Sequence, residues 1–283
     1  MISFPNCKIN LGLNILKKRD DGFHDLETAF YPLMLKDVLE IIPATNKQHP
    51  TSNTQELSLQ TVNFSSSGLT IDGDSSTNLC VKAYHLLKKD FPQLPNIEMH
   101  LHKAIPMGAG LGGGSADGAF TLRLLNDKFN LNLSTEQLIS YALQLGSDCP
   151  FFILNQPCFA TSRGEVMRNI ELDLSGYQFV IINPGIHVNT GWAFSHIIPS
   201  TPQKSIAQII QQPIATWKDE LVNDFELPVA KQYPAISSIK EQLYAAGATY
   251  ASMSGSGSTV FGIFDKELNP ALDLSSAYFM ATV

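Results

Sequence analysis

The sequence lacks a close cysteine pair, a long apolar run and an excess of positive charge. Its four cysteines, Cys7, Cys80, Cys149 and Cys158, are scattered, and none belongs to a CxxC pair. A chain of 283 residues needs no disulfide staples, so the thiols are expected to be free and structural, in a reducing compartment. The longest stretch without Asp, Glu, Lys or Arg, 174–203, is broken throughout by Pro, Asn, Gln, His and Gly. It is not the ~20-residue apolar span that a membrane crossing needs. The opening MISFPNCKIN carries a charge and Asn and has no apolar core of a secretory leader. A cytoplasmic protein with no membrane partner is the expectation. Lys and Arg total 19 against 26 Asp and Glu, a net charge of -7. No global positive field exists to hold nucleic acid, although a local pocket for a small anion stays open.

Apolar residues are present in the proportion a core needs. They make up 44% of the chain, with 16% charged, which excludes wholesale disorder. At ~150 residues per domain the length points to two domains. Asn155-Gln156-Pro157 marks a boundary that gives residues 1–158 and 159–283.

Residues 8–15 alternate strictly. Ile9, Leu11, Leu13 and Ile15 share one face, and Lys8, Asn10, Gly12 and Asn14 the other, which predicts a half-buried strand with a polar second face. Arg19-Asp20-Asp21-Gly22 reads as a turn, 38–42 as a strand and 44–56 as a polar loop. Asn78 is placed to cap a helix over 79–89 that buries Leu79, Ala83, Leu86 and Leu87. Residues 97–105 alternate again and end at Pro106. His100 and His102 share a face there, read as exposed and polar because no third metal ligand is apparent. Ser134-Thr135-Glu136-Gln137 fits a capping box, and Gly146 closes that helix. Residues 178–182 form an apolar strand, and 186–235 are loop-rich with helical pieces. Ile236, Ile239, Leu243 and Ala246 have helical spacing, and 252–264 read as strand, glycine-serine loop, strand. Without a fixed repeat or regular βα alternation, the fold class is α+β.

The chemistry concentrates in Pro106-Met107-Gly108-Ala109-Gly110-Leu111-Gly112-Gly113-Gly114-Ser115-Ala116. Its five glycines let the backbone approach a ligand with N–H groups turned inward. A helix expected from Ala116 adds unpaired donors and a favourable dipole, so the combination predicts a phosphate site. The pattern GxxxxGK[ST] fails, because no Lys-Ser/Thr follows the glycines. Gly108-x-Gly110-x-x-Gly113 matches the dinucleotide string, but the strand before it alternates, carries His and Lys and ends at a Pro. Protein-kinase HRD and DFG elements are missing.

This loop resembles the P-x-x-x-G-L-G-S-S-A loop of the GHMP kinases, the family of galactokinase, homoserine kinase and mevalonate kinase. Its Leu111-Gly112-Gly113-Gly114-Ser115 spelling is similar to the branch acting on a cytidine diphosphate conjugate of methylerythritol. Four more segments carry the resemblance in the expected order. They are Pro5-Asn6-Cys7-Lys8-Ile9-Asn10-Leu11, Asp21-Gly22-Phe23-His24, Gly146-Ser147-Asp148-Cys149-Pro150-Phe151-Phe152 and Ser254-Gly255-Ser256-Gly257-Ser258.

The resemblance implies a two-domain fold with its site in the cleft between domains, residues 1–158 serving ATP binding and catalysis and 159–283 forming a C-terminal α+β domain. It implies ATP-dependent phosphorylation of a hydroxyl on that small-molecule substrate, with ATP and Mg2+ as cofactors. Asp148 becomes the general base and Lys8 its electrostatic partner. The loop from Pro106 to Ala116 holds ATP, with Asn78 and Lys103 near the adenine. Asn10, Phe23, His24, Thr190 and Phe194 contact substrate, Phe23 and Phe194 by stacking on cytosine and His24 by hydrogen bonding its edge. No motif spells the magnesium ligands, and Ser115 is the one side chain worth naming. Pro150 is expected to hold Cys149 extended.

The chain also departs from the family pattern. Ala160-Thr161-Ser162-Arg163-Gly164-Glu165 replaces the first glycine of a Gly-x-Gly-Glu stretch, so Arg163 is expected to alter how that loop faces substrate. Cys7 and Cys149 stand beside both catalytic candidates, an expected source of sensitivity to alkylation. Another GHMP small-molecule kinase, or a non-catalytic nucleotide-binding protein on the same fold, remains open as an alternative. Oligomeric state is not legible.

Overall fold

The structure, a computed structural model, describes residues 1–44, 62–71 and 73–283, so most of the loop expected over 44–56 lies outside the described residues. In chain order run β1 (Ile2–Ser3), β2 (Asn6–Lys18), β3 (His24–Lys36), β4 (Val38–Pro43), β5 (Val62–Gly68), α1 (Leu79–Asp90), β6 (Ile97–Lys103), α2 (Gly113–Phe129), α3 (Thr135–Leu145) and α4 (Cys149–Leu154). They are followed by β7 (Cys158–Ser162), β8 (Val166–Asn169), β9 (Tyr177–Asn183), α5 (Thr190–Ser195), α6 (Ile206–Ile209), α7 (Trp217–Glu220), α8 (Glu226–Gln232), α9 (Ala235–Ala245), β10 (Tyr250–Met253), β11 (Val260–Asp265) and β12 (Phe279–Thr282). Strands and helices mix without regular alternation, as the α+β class requires.

Two compact units interleave along the chain. One comprises Met1–Pro5, Lys36–Ala104 and Gly114–Ile153; the other comprises Asn6–Leu35, Ile105–Gly113 and Leu154–Val283. A division by contacts is therefore a different description from a single cut after residue 158.

In the first unit the sheet order is β1-β4-β6-β5, with β5 parallel to β6 and the other pairs antiparallel. Ile97, Met99, Leu101 and Lys103 of β6 point inward. On its other face His100 pairs with Ser65 and Ser67, and His102 with Ser67, so the polar-face reading holds. Asn78 caps α1 by accepting from the Cys80 N–H at 2.9 Å. The buried side of that helix is Cys80, Val81, Ala83, Tyr84 and Leu87, and Leu79 and Leu86 are only half buried. The Tyr84 hydroxyl donates to the Pro95 carbonyl at 2.9 Å. The capping box of α3 forms between Ser134 and Gln137, with Gly146 at its end. Cys149 opens α4 instead of lying extended. Pro150 falls in the first turn of that helix, where its missing N–H costs nothing.

In the second unit, one sheet runs β2-β3-β7-β8 and another β10-β11-β9-β12. Ile9, Leu11, Ala29 and Phe159 of the first share a core with Phe179, Ile181, Phe261 and Ile263 of the second. Val180, Ile182 and Val260 form a second cluster with Ile236, Ile239 and Leu243 of α9. Strand β9 is thus buried on both faces, which explains its unbroken apolar run. The half-buried reading of β2 needs correction. Both of its faces are buried from Asn6 through Ile15, because its polar side chains are hydrogen-bonded inside the unit. Leu13 and Ile15 also join the second cluster rather than the first. Gly12, at φ +68°, turns the strand, and beyond it Leu13 N–H donates to the Val222 carbonyl and Ile15 N–H to Asp224 Oδ2.

Candidate functional site

In the second unit, Lys8 is 3% exposed and its ammonium is held in place. Nζ donates to Asn10 Oδ1 at 2.6 Å and to the Gly110 carbonyl at 3.3 Å, and lies 5.0 Å from the Phe30 ring centroid. Strand alternation puts Lys8 and Asn10 on one face. Asn10 Nδ2 in turn donates to Thr28 Oγ1 at 3.0 Å, and its backbone N–H to Ser254 Oγ at 3.1 Å. Ser254 Oγ donates to the same Gly110 carbonyl at 2.8 Å. One carbonyl of the glycine loop therefore gathers the first strand and the C-terminal glycine-serine motif.

The loop has a built anatomy. Ile105, Ala109 and Leu111 are buried and anchor it in the core. Around them Gly108, Gly110 and Gly112 take φ of +61°, +80° and +69°. Gly110 has no room for a side chain, since a Cβ there would lie 2.0 Å from the Ser254 carbonyl oxygen. The Lys8 N–H donates to the Leu111 carbonyl, and the Thr259 N–H to the Ala109 carbonyl. Gly113 then opens α2.

The hairpin between β2 and β3 closes as the expected turn, with Gly22 N–H donating to Arg19 O and Arg19 N–H to Phe23 O. His24 follows at the start of β3 and stacks on Phe194, centroids 4.6 Å apart and planes 16° apart. Phe194 also meets Phe225 edge-on. Burial and the Lys18 charge hold the His24 imidazole below its usual range. At neutral pH the ring is therefore neutral and offers one donor and one acceptor. Phe23 remains 52% exposed, and the Arg163 guanidinium lies 4.8 Å from its centroid. Thr190 Oγ1 is 3.1 Å from Ser256 Oγ.

In the first unit, the Lys103 ammonium is fully buried and paired with Asp37 and with Asp117 Oδ2. The Ala104 N–H also donates to Asp37 Oδ1. Asp117, on α2, keeps Oδ1 without a hydrogen-bond partner among the described residues. Burial pushes Asp117 up to about 7, the Asp37 charge adds to this, and Lys103 opposes it. Lys103 is thus committed to an interior ion cluster that ties β6 to α2. Asn78 is committed to capping α1. Asp148 lies half-buried directly before α4. Beside it Cys149 is buried, and desolvation pushes its thiol up to about 12. Cys7 is equally buried, so the expected sensitivity to alkylation is not supported: neither thiol is presented at the surface to a reagent.

Several contributors carried no motif signal. Thr28, from β3, and Asn223, which donates to the Met253 and Gly255 carbonyls, were not legible. Neither was His187, whose Nδ1 lies 3.5 Å from the position a Gly108 Cβ would take. Ser254 sat inside a recognised motif but without a role. Among the described residues, no group of three or more His, Cys, Asp or Glu is placed to hold a metal ion, and no helix is long and apolar enough to cross a membrane.

Comparison with known proteins agrees in sequence and in fold. The family model for the GHMP kinases N terminal domain matches residues 78–156, and that for GHMP kinases C terminal matches 205–274. The chain is 50% identical over 283 residues to a 4-diphosphocytidyl-2-C-methyl-D-erythritol kinase of Bacteroides fragilis, covering 100% of this chain and 99% of that protein. It is 52% identical over 266 residues to the kinase of the same name from Cytophaga hutchinsonii, covering 94% and 93%. The crystal structure of a 4-(cytidine 5'-diphospho)-2C-methyl-D-erythritol kinase superposes with a TM-score of 0.76 at 29% identity, over 93% of this chain and 90% of that one. A mevalonate kinase structure, 12% identical with a TM-score of 0.70 over 94% and 92%, shares the fold.

Proposed function

The chain belongs to the GHMP kinase family, and from that premise we propose that it transfers the γ-phosphoryl group of ATP to the 2-hydroxyl of 4-diphosphocytidyl-2-C-methyl-D-erythritol. The full-length identity to kinases of that name supports this substrate. Asp148 takes the proton from the attacking hydroxyl as its oxygen bonds to the γ-phosphorus and the bond to the β-phosphate oxygen breaks. Lys8 is the electrostatic partner of that step, an ammonium fixed by Asn10 and Gly110 that offsets the charge building on the transferring group. The residues from Pro106 to Ala116 hold the phosphates through backbone N–H groups and a helix N-terminus. Asn78 and Lys103 serve the nucleotide side, Lys103 from the interior through its pair with Asp117 of α2. Phe23 and Phe194 flank the cytosine, neutral His24 hydrogen-bonds its edge, and Asn10 and Thr190 contact the rest of the substrate.

The described residues build no acidic cage for magnesium. Mg2+ is therefore proposed to arrive on the ATP phosphates, where it neutralises charge, with Ser115 its one assigned side chain.

The observation that carries this reading is the convergence of Lys8 and Ser254 on the Gly110 carbonyl. It sets a strand lysine, the glycine loop and the C-terminal motif in one hydrogen-bonded group. Asp148→Ala tests the assignment of the base. A loss of about 100-fold or more in kcat is expected, the scale of a general base, with substrate KM little changed. A near-normal kcat would remove Asp148 from the proton transfer.

A further inference from the structure

The turn between β7 and β8 is stitched to the tip of the β2–β3 hairpin. Register sets this up, since Ser162 lies opposite Leu26 in the β3–β7 ladder. Ser162 takes φ +62°, a left-handed conformation unusual for a side-chain-bearing residue. Its Oγ donates to Glu165 Oε1 at 3.2 Å and accepts from Arg19 Nη1 at 3.1 Å. Arg19 also reaches Asp25 and Asp21, and Asp21 accepts from the Phe23 N–H. Glu165 closes the network by accepting from the Arg163 N–H at 2.7 Å and from Arg163 Nε at 3.3 Å. Burial opposes ionisation of Glu165. Hydrogen bonds from its own amide, the Arg163 amide, the guanidinium and Ser162 outweigh it and hold the carboxyl below its usual range.

The consequence falls on Phe23. An aromatic ring 52% exposed at a hairpin tip has little of its own to hold it. Here the Arg163 guanidinium covers one face, 4.8 Å from the centroid, and Glu165 pairs with that guanidinium at its Nε. A planar guanidinium stacks well on an aromatic face and stays charged at any working pH. We infer that Arg163 is a positioning residue for pyrimidine recognition: it fixes Phe23 and occupies one of its faces, leaving the opposite face for the cytosine. The inference rests on the assignment of Phe23 to the base in the proposed function. It adds a residue that the family pattern leaves unspecified, and it gives the Ser162-Arg163 departure a purpose.

The test combines turnover with calorimetric binding of cytidine 5'-diphosphate, which needs no catalysis. Arg163→Ala is expected to raise both the cytidine-substrate KM and the diphosphate Kd about 2- to 5-fold, the range of an exposed cation–π contact. The KM for ATP and kcat should stay unchanged. In a Phe23→Leu background, Arg163→Ala should have no further effect, because its action passes through the ring. Both side chains are partly exposed, so the variants should fold. Unchanged affinity, an equal loss in the Phe23→Leu background, or a matching rise in the KM for ATP would each overturn the inference. Tighter binding would overturn it too, by showing that Arg163 occupies the face the base needs. Absence of turnover with diphosphate binding intact would count against the proposed reaction and leave Arg163 to be judged by its Kd. Absence of cytidine nucleotide binding in the unmutated protein would overturn both.

Discussion

Gly110→Ala perturbs the point where the glycine loop meets the C-terminal motif. Two separate costs follow. At φ +80° an alanine sits in the left-handed region, worth about 1–2 kcal/mol against it. Its Cβ would also lie 2.0 Å from the Ser254 carbonyl oxygen and 2.9 Å from the carbonyl carbon. The Gly110 backbone and segment 254–257 must therefore shift apart, and with them the bonds from Ser254 Oγ and Lys8 Nζ to the Gly110 carbonyl. Losing two such bonds costs about 1 kcal/mol each. The sum is about 3–4 kcal/mol, a fall in Tm of roughly 6–15 °C for a chain of this size. Gly185→Ala separates the two costs, because Gly185 has a similar φ of +74° with no atom within 4 Å of its Cβ position. It should show the backbone cost alone, about 1–2 kcal/mol. Unfolding free energies from urea titrations of the two variants, measured side by side, should differ by about 2 kcal/mol. Equal losses would refute the close approach of the two motifs.

Other outcomes follow from the buried groups. Asp117 has a folded-state value near 7 against an ordinary 3.8, so the folded protein binds the extra proton between those values. Its contribution is fully present below about 4 and is lost as pH rises to about 7. Asp117→Asn, neutral throughout, should therefore gain on the unmutated protein as pH rises through that window; a stability difference independent of pH would contradict this. Cys7, Cys80, Cys149 and Cys158 are all fully buried and none is in a disulfide, and burial also raises the Cys80 and Cys149 thiols. A colorimetric thiol reagent should find none fast-reacting in the native protein and all four after denaturation. Any thiol reacting at the rate of an exposed one would contradict that burial.

What the sequence disclosed was set by how local each signal is. The α3 capping box, the Gly22 turn and the α9 stripe through Leu243 depend on residues three or four apart, and they appear where the pattern placed them, although the helix ends at Ala245, before Ala246. Strand β3 was not foreseen: its 13 residues include Pro32 and lack strict alternation, and its pairing with β7 is a long-range fact. The polar face of β2 misled for the same reason. Alternation shows which side chains share a face, but not that Thr28 and Ser254 will cover that face. Lys8 and the glycine loop were legible as motifs, whereas their meeting at the Gly110 carbonyl joins residues 102 apart. Lys103 was legible only through the family resemblance. Its partners Asp37 and Asp117 were not, since ion pairs across elements leave no local pattern.

This GHMP kinase is proposed to act on the cytidine diphosphate conjugate of methylerythritol. Steady-state ADP release from the purified chain with ATP and Mg2+ tests it most directly, across that substrate, mevalonate and homoserine. Turnover is expected on the cytidine conjugate, with a kcat/KM at least about 100-fold above either alternative, as for a site that binds through polar contacts to a base. Turnover on mevalonate or homoserine without turnover on the cytidine conjugate would contradict it.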